Sequence, residues 1–385
     1  MDVEPLPATS LDPRLISHAA AEKHFAGVTS LIQALLEHHA QPPHNNRSMM
    51  RTLLLPCLLL AATAAQASPS TPEGCSARAA PGDDLQQAID RLPADRPARL
   101  CLAKGEYPLE GLLAIRRNDF TLRGAGHDTV LRMADDVQQP LLVIGDHLHA
   151  VPAMRIRNVV VADLQLIGGR AEHEFMPEHP YLSNSAVVIR AGDHIRLSGL
   201  KASRCRSACL LSERDSRDLL FERNDVSGAA WDGVSFNRTA RVRLVDNHIH
   251  DNVAAGITTE HLEDSEIRGN RLERNGSQGI YLADARRNRF VDNQFLDNKS
   301  AGVFLTCSIR YRTPEILCWD GSMSQDNLFE RNVFRGSPYT YTIGVDRAAN
   351  CKGGDFRPNL WSANQADASG FNPPVEVYGE CVRSQ

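Results

Sequence analysis

The chain has 385 residues, 42% of them apolar and 23% charged, with a formal net charge of −5. That balance supports a sizeable core and lacks the basic, aromatic-interleaved runs of a nucleic-acid-binding surface, so no nucleic-acid partner is expected. Length alone allows two or three domains, but an internal repeat of the kind described below usually forms one long unit.

Residues 1–48 read poorly as a folded domain: Val28 to His39 has helical character, Gln41-Pro42-Pro43 ends it, and nothing continues it. Met49-Met50-Arg51 then leads into an apolar run from Leu53 to Ala65 and into Ala65-Gln66-Ala67. A basic start, a short apolar stretch and an A-x-A site make a secretory signal peptide over 49–67, too short to be a stable membrane span. The expectation is translation from Met49 or Met50, with residues 1–48 an upstream extension outside the true protein, and a secreted or periplasmic product. The alternative is a cytosolic extension ahead of an internal anchor. Nine cysteines become an even set once Cys57 leaves with the signal peptide. An even set in an oxidising compartment reads as disulfides. Proximity pairs Cys75 with Cys101, Cys307 with Cys318 and Cys351 with Cys381, while Cys205 and Cys209 either pair or pack. No spacing resembles a zinc ribbon.

Residues 68–82 read as a linker, and 83–385 as the folded domain. Asp83-Asp84-Leu85-Gln86-Gln87-Ala88-Ile89 has the N-cap and spacing of a short helix, followed by a strand at Leu100-Cys101-Leu102 and a turn at Lys104-Gly105-Glu106-Tyr107. An amphipathic helix here suits the open end of a solenoid. The run Leu85-Gln86-x-Ala88-Ile89, then Leu102 to Tyr107, then Thr121-Leu122-Arg123-Gly124-Ala125-Gly126 resembles the opening of secreted pectate-lyase-like right-handed β-helix proteins. That resemblance covers most of Asp83 to Asn364. It implies a right-handed coil and a polysaccharide or oligosaccharide partner, and leaves the reaction open among lyase, hydrolase, epimerase and non-catalytic accessory roles. Neither a Tyr-Gly-x-Asp-Pro-His epimerase signature nor a polygalacturonase-type Asn-Thr-Asp is present.

The coils before residue 216 are less regular, with strands at Val159-Val160-Val161 and Ile195-Arg196-Leu197 and an excursion from Gly168 to Asn184 carrying His173, Glu174, Glu178 and His179. From Arg217 to Leu305 the pattern locks. Asn224, Asn247, Asn270 and Asn293 end four similar segments, and Gly233-Val234, Gly256-Ile257, Gly279-Ile280 and Gly302-Val303 recur with the same period. Each unit alternates apolar and polar residues with Asn and Gly turns, so the fold class is all-β, a single-domain parallel β-helix solenoid with a short N-terminal capping helix. Inward asparagines, one per coil, then form a ladder that Asn332 and Asn364 extend, with a second at Asn252, Asn275 and Asn298. Leucine-rich repeats need a frame that is absent here. Two further excursions, Thr306 to Gln325 and Asp346 to Pro358, follow second strands, and long loops on a rigid scaffold commonly carry function.

Strand alternation assigns outward columns. With Val187, Cys209, Val234, Ile257, Ile280, Val303 and Ile343 aligned as inward, Glu213, Arg238, His261 and Asp284 fall on successive rungs about 4.8 Å apart, beside Asn237, Glu260 and Tyr281. Uronate β-elimination would use Arg238 to neutralise the carboxylate, His261 as base and Tyr281 as acid. Hydrolysis would use two carboxylates, Glu260 with Asp284 or Asp232. Arg190, Glu213, Asn237, Phe304 and Trp319 are the candidate substrate-binding residues. The plainer alternative for this patch is a surface ladder of alternating charge. His248 and His250 point outward near Asp225, and two imidazoles can hold a metal, but without a third fixed ligand they read as polar surface, so no metal is assigned. Copper handling is the non-enzyme alternative. Asp83-Asp84 and Asp135-Asp136 allow calcium, although cap and turn roles explain them. A monomer is expected.

Overall fold

Every repeat closes one coil of three short strands, and the coils stack in parallel register. The computed structural model describes residues 74–311, 317–337, 339–345, 351, 354–367 and 381–385, so residues 1–48, the signal-like segment and Asp346 lie outside the described residues. The first face stacks Leu142–Ile144, Val187–Arg190, Leu210–Glu213, the start of Val234–Val245, Ile257–Glu263, Ile280–Arg286, Ala301–Thr306 and Tyr339–Val345. The second stacks Ile156–Ala162, Gly192–Ser198, Ser216–Glu222, the end of Val234–Val245, Glu266–Arg268, Arg289–Val291, Leu328–Glu330 and Asn359–Ser362. The third runs from Gly105–Leu109 to Gln365–Ala366 as a separate 10-stranded sheet. The described chain is thus a right-handed parallel β-helix.

The inward column is Val187, Leu210, Val234, Ile257, Ile280 and Val303. Leu210 therefore replaces Cys209 in the expected register. One extra residue at the corner between Ser212 and Ser216, where both Arg214 and Asp215 take positive φ, offsets the following positions by one more. Glu213 consequently pairs with Arg190 on the first face, and Asp215 takes the place expected for Glu213 beside Arg238.

Apolar side chains fill the coil interior. Phe290 stacks on Phe329 with centroids 4.7 Å apart, and Phe295 on Phe334 at 4.6 Å. The Asn224–Asn247–Asn270–Asn293–Asn332–Asn364 ladder is continuous, each Nδ2 donating to the next Oδ1 at 2.9–3.0 Å. Asn252, Asn275 and Asn298 form the second ladder at 2.9 Å. A third, Asn288–Asn327–Asn359, was not anticipated, because on the preceding regular coil its column holds Ser265, so no Asn recurs there at the 23-residue period. At Gly256 a Cβ would sit 2.8 Å from the Gly279 carbonyl, so coils approach there more closely than any side chain permits.

The N-terminal end is closed as the amphipathic pattern implies. Asp84 accepts from the Gln87 N–H and caps helix Leu85–Asp90, whose Leu85 and Ile89 are buried. Gln86 satisfies both the N–H and the carbonyl of Ala114, covering an exposed strand edge. Strand Ala77–Ala79, inside the stretch read as linker, pairs with Ala98–Leu102 and is tied there by Cys75–Cys101. Cys205–Cys209, Cys307–Cys318 and Cys351–Cys381 are also disulfides. None of the helices among the described residues is long and apolar enough to cross a membrane.

Candidate functional site

The corner between the first and second faces carries Asp215, Arg238, His261 and Asp284 on successive coils, all at positive φ. They pair along the stack: Arg238 Nε lies 3.3 Å from Asp215, and His261 Nδ1 is bonded to Asp284. The same device recurs at other corners, where Arg241 grips Asp218, Arg287 grips Asp264, Arg274 grips Asp251 and Arg331 grips Asp292. Arg238 thus repeats a staple found all round the solenoid. Asp284 differs in being buried. Burial would raise its carboxyl, but the His261 hydrogen bond and charge, then Arg286, outweigh it and hold the group below the ordinary carboxylate range. Its second oxygen also accepts from the Met323 N–H at 3.1 Å, tying the corner to the loop after Thr306.

Arg190 is wholly buried rather than presented to a ligand. Its Nε donates to Glu213 at 2.6 Å, and its other nitrogens donate to the carbonyls of Asp146, His149 and Ala150. The guanidinium also sits 4.9 Å over the Tyr181 ring. Arg190 and Glu213 therefore anchor the 146–150 loop to the first face.

On the open first face three carboxylates gather. Glu260 accepts from Asn237 Nδ2 at 3.3 Å. Asp232, at the turn leading into Val234–Val245, is buried, hydrogen-bonds with Thr258 and accepts from the Ala255 N–H at 2.9 Å. Burial, reinforced by the charge of Glu260, overcomes those hydrogen bonds and pushes the Asp232 carboxyl up to about 6. Glu174 comes from the Gly168–Asn184 excursion, which folds as the antiparallel pair Phe175–Met176 and His179–Ser183. The Asn184 N–H donates to the Glu174 carbonyl at 2.8 Å, locking that loop over the coil. Burial raises the Glu174 carboxyl to about 7, Arg206 opposes this, and Asp232 adds to it. Sequence reasoning named Glu174 and Asp232 without placing them together; the charge influence of Asp232 on Glu174 arises across a loop of no fixed period and leaves no sequence signal.

One rung along, Tyr281 stacks on Phe304 with centroids 5.5 Å apart and planes 17° from parallel, both partly exposed. Trp319, just after the loop closed by Cys307–Cys318, is partly exposed, and its backbone N–H donates to the Ser308 carbonyl at 3.0 Å. The first face thus offers an aromatic pair, an amide and an acid cluster, with excursions from two coils rising beside it.

Comparison with known proteins bears on the fold. A family model described as "Right handed beta helix region" matches residues 185–336. No curated protein matches the chain by sequence. Among solved structures, a Geobacillus virus E2 protein, ORF18, is 13% identical over 75% of this chain with a TM-score of 0.55, and this chain spans 55% of its length. An alginate lyase from Paenibacillus sp. strain FPU-7 is 12% identical, covering 77% of this chain and 96% of that one at a TM-score of 0.53. The Streptococcus pneumoniae surface protein and adhesin PfbA is 11% identical, over 74% of this chain and 81% of that one, with a TM-score of 0.52. In fold, the chain is a right-handed parallel β-helix.

Proposed function

We propose that the chain is an exported carbohydrate-active protein that binds a glycan along the first face and cleaves it by carboxylate acid–base chemistry. One observation carries the reading: burial, reinforced by the charge of Glu260, holds the Asp232 carboxyl up at about 6, in the range that suits a general acid. Asp232 would protonate the leaving glycosidic oxygen, and Glu260 would activate water or attack the anomeric carbon. Glu174, held near 7, adds a second proton reservoir on the loop side. Tyr281 and Phe304 would stack on a sugar ring. A cluster of acids repels polyuronates and suits a neutral or weakly charged glycan. Four disulfides support the exported setting.

β-Elimination is the second reading, favoured by the His261–Asp284 pair, in which Asp284 fixes the imidazole and Nε2 remains to act as base. Against it, the cations it would need are engaged: Arg238 with Asp215, Arg286 with Asp284, and Arg190 in the interior. A screen of neutral and acidic polysaccharides, reading reducing ends and unsaturated-uronate absorbance together, tests the proposal. Reducing ends without absorbance support hydrolysis, absorbance growth replaces it with elimination, and binding without either product leaves a glycan-binding module.

A further inference from the structure

We propose that Asp225, His248 and His250, on the third face and away from the glycan face, form a binding site for a borderline divalent transition metal of the zinc class. His248 and His250 occupy alternate positions of strand His248–His250, so both side chains leave the same side, and their rings stack 3.9 Å apart. Asp225 comes from the adjacent rung, directly paired with His248. One oxygen, Asp225 Oδ2, lies 3.3 Å from His248 Nδ1 and 3.5 Å from His250 Nε2. All three ligand atoms fall within 4.8 Å of one another. Metal–ligand bonds of about 2.0–2.1 Å in tetrahedral geometry put ligand atoms about 3.3–3.4 Å apart, so the two measured separations fit the edges of one such sphere.

The outer nitrogens make the stronger argument. His248 Nε2 faces Glu273 at 2.9 Å, and His250 Nδ1 faces Asp251 at 2.6 Å. A neutral imidazole has one N–H, and each ring directs it best to its outer carboxylate. Both inner nitrogens then turn lone pairs toward the same Asp225 oxygen, an arrangement relieved by a metal cation between them or by a second proton on a ring. The His250 Nε2 atom is itself buried and has no hydrogen-bond partner among the described residues. Carboxylates behind ligating histidines are the usual way a protein fixes their tautomer and orientation. Two imidazoles and one carboxylate favour zinc, cobalt or copper over calcium or magnesium, which take oxygen donors. Three protein ligands leave a position for water or a partner's donor. A similar cluster, Asp193, His194 and Asp218, carries no such inference, because Arg217 and Arg241 already neutralise its carboxylates.

The test uses the full chain, stripped with chelator and titrated with Zn(II) by calorimetry and with Co(II) by visible absorption. The reference is the His248→Ala/His250→Ala double variant, which subtracts binding by histidines elsewhere. The expected result is one more saturable equivalent of Zn(II) in the parent chain. Co(II) should give an intense four- or five-coordinate spectrum that Asp225→Asn abolishes. Glu273→Gln should weaken the site by tenfold or more, an effect that adventitious surface histidines would not show. Calcium and magnesium at the same concentrations should not compete. Equal stoichiometry in parent and double variant, or a weak six-coordinate Co(II) spectrum unchanged by Asp225→Asn, overturns the proposal. Matching melting curves for parent and variants exclude misfolding as the cause of a loss.

Discussion

Asn247 Nδ2 donates to Asn270 Oδ1 at 2.9 Å, and the same oxygen accepts the Asn247 backbone N–H at 2.9 Å. Asn270 in turn donates to the Leu244 carbonyl and to Asn293, so one amide satisfies groups on three coils. All of these atoms are buried, and removing a partner exposes each to the penalty of an unmade bond, about 1–3 kcal/mol. Asn270→Leu should therefore lower the unfolding midpoint clearly more than Arg243→Ala, whose side chain is exposed and only 3.9 Å from Glu266. Equal midpoints for the two variants would remove the ladder from the list of stabilising devices.

The eight described cysteines form four disulfides, each closing a short stretch of chain. Mass spectrometry of exported protein alkylated without reduction should find none of them labelled. Labelling confined to Cys205 and Cys209 would mean that their four-residue loop is reduced in the native protein.

The fold was legible because its determinants are periodic. A 23-residue spacing fixes which residues turn inward, and Asn and Gly mark the corners, so two of the three ladders could be read directly. The third has Ser265 in place of Asn on the coil before Asn288 and so shows no Asn period, and an extra residue near Asp215 shifted one rung of the outward map. That shift mattered at the site. It moved Glu213 from the Arg238 column to Arg190, and revealed Arg238 as a corner staple paired with Asp215. The charge influence of Asp232 on Glu174 depends on how an aperiodic loop folds back, a tertiary fact that no spacing encodes.

Asp232 makes stability depend on pH in a defined direction. Its folded carboxyl titrates near 6 against an ordinary 3.8, so the folded state holds this proton more tightly than the unfolded one. The associated stability is fully present below about 3.8 and is lost as pH rises through about 6. A shift of that size corresponds to roughly 2–3 kcal/mol. Asp232→Asn keeps an acceptor for the Ala255 N–H without the charge. Chemical denaturation should therefore find the variant more stable than the parent at pH 8, with the advantage gone by pH 3.5. A pH-independent difference would mean that Asp232 is not held protonated by its burial.

Activity separates the two chemical readings. If Asp232 is the acid and Glu260 its partner, Asp232→Asn and Glu260→Gln should each lower turnover on the responsive glycan by a hundredfold or more. The Asp232 variant should also lose the alkaline limb of the pH–rate profile, which in the parent falls as the acid deprotonates above about 6. His261→Ala breaks the corner pair with Asp284 and leaves the first face intact, so turnover should change little. Elimination reverses this order: His261→Ala would be inactive, while Asp232→Asn would retain activity and gain stability. Tyr281→Ala separates the schemes further: under hydrolysis, losing the ring that stacks on Phe304 should raise KM more than it lowers kcat, whereas under elimination it also removes the acid, so kcat should fall a hundredfold or more. A binding-only first face gives a third pattern, in which Tyr281→Ala and Phe304→Ala weaken glycan affinity while neither the parent nor any acid variant forms product.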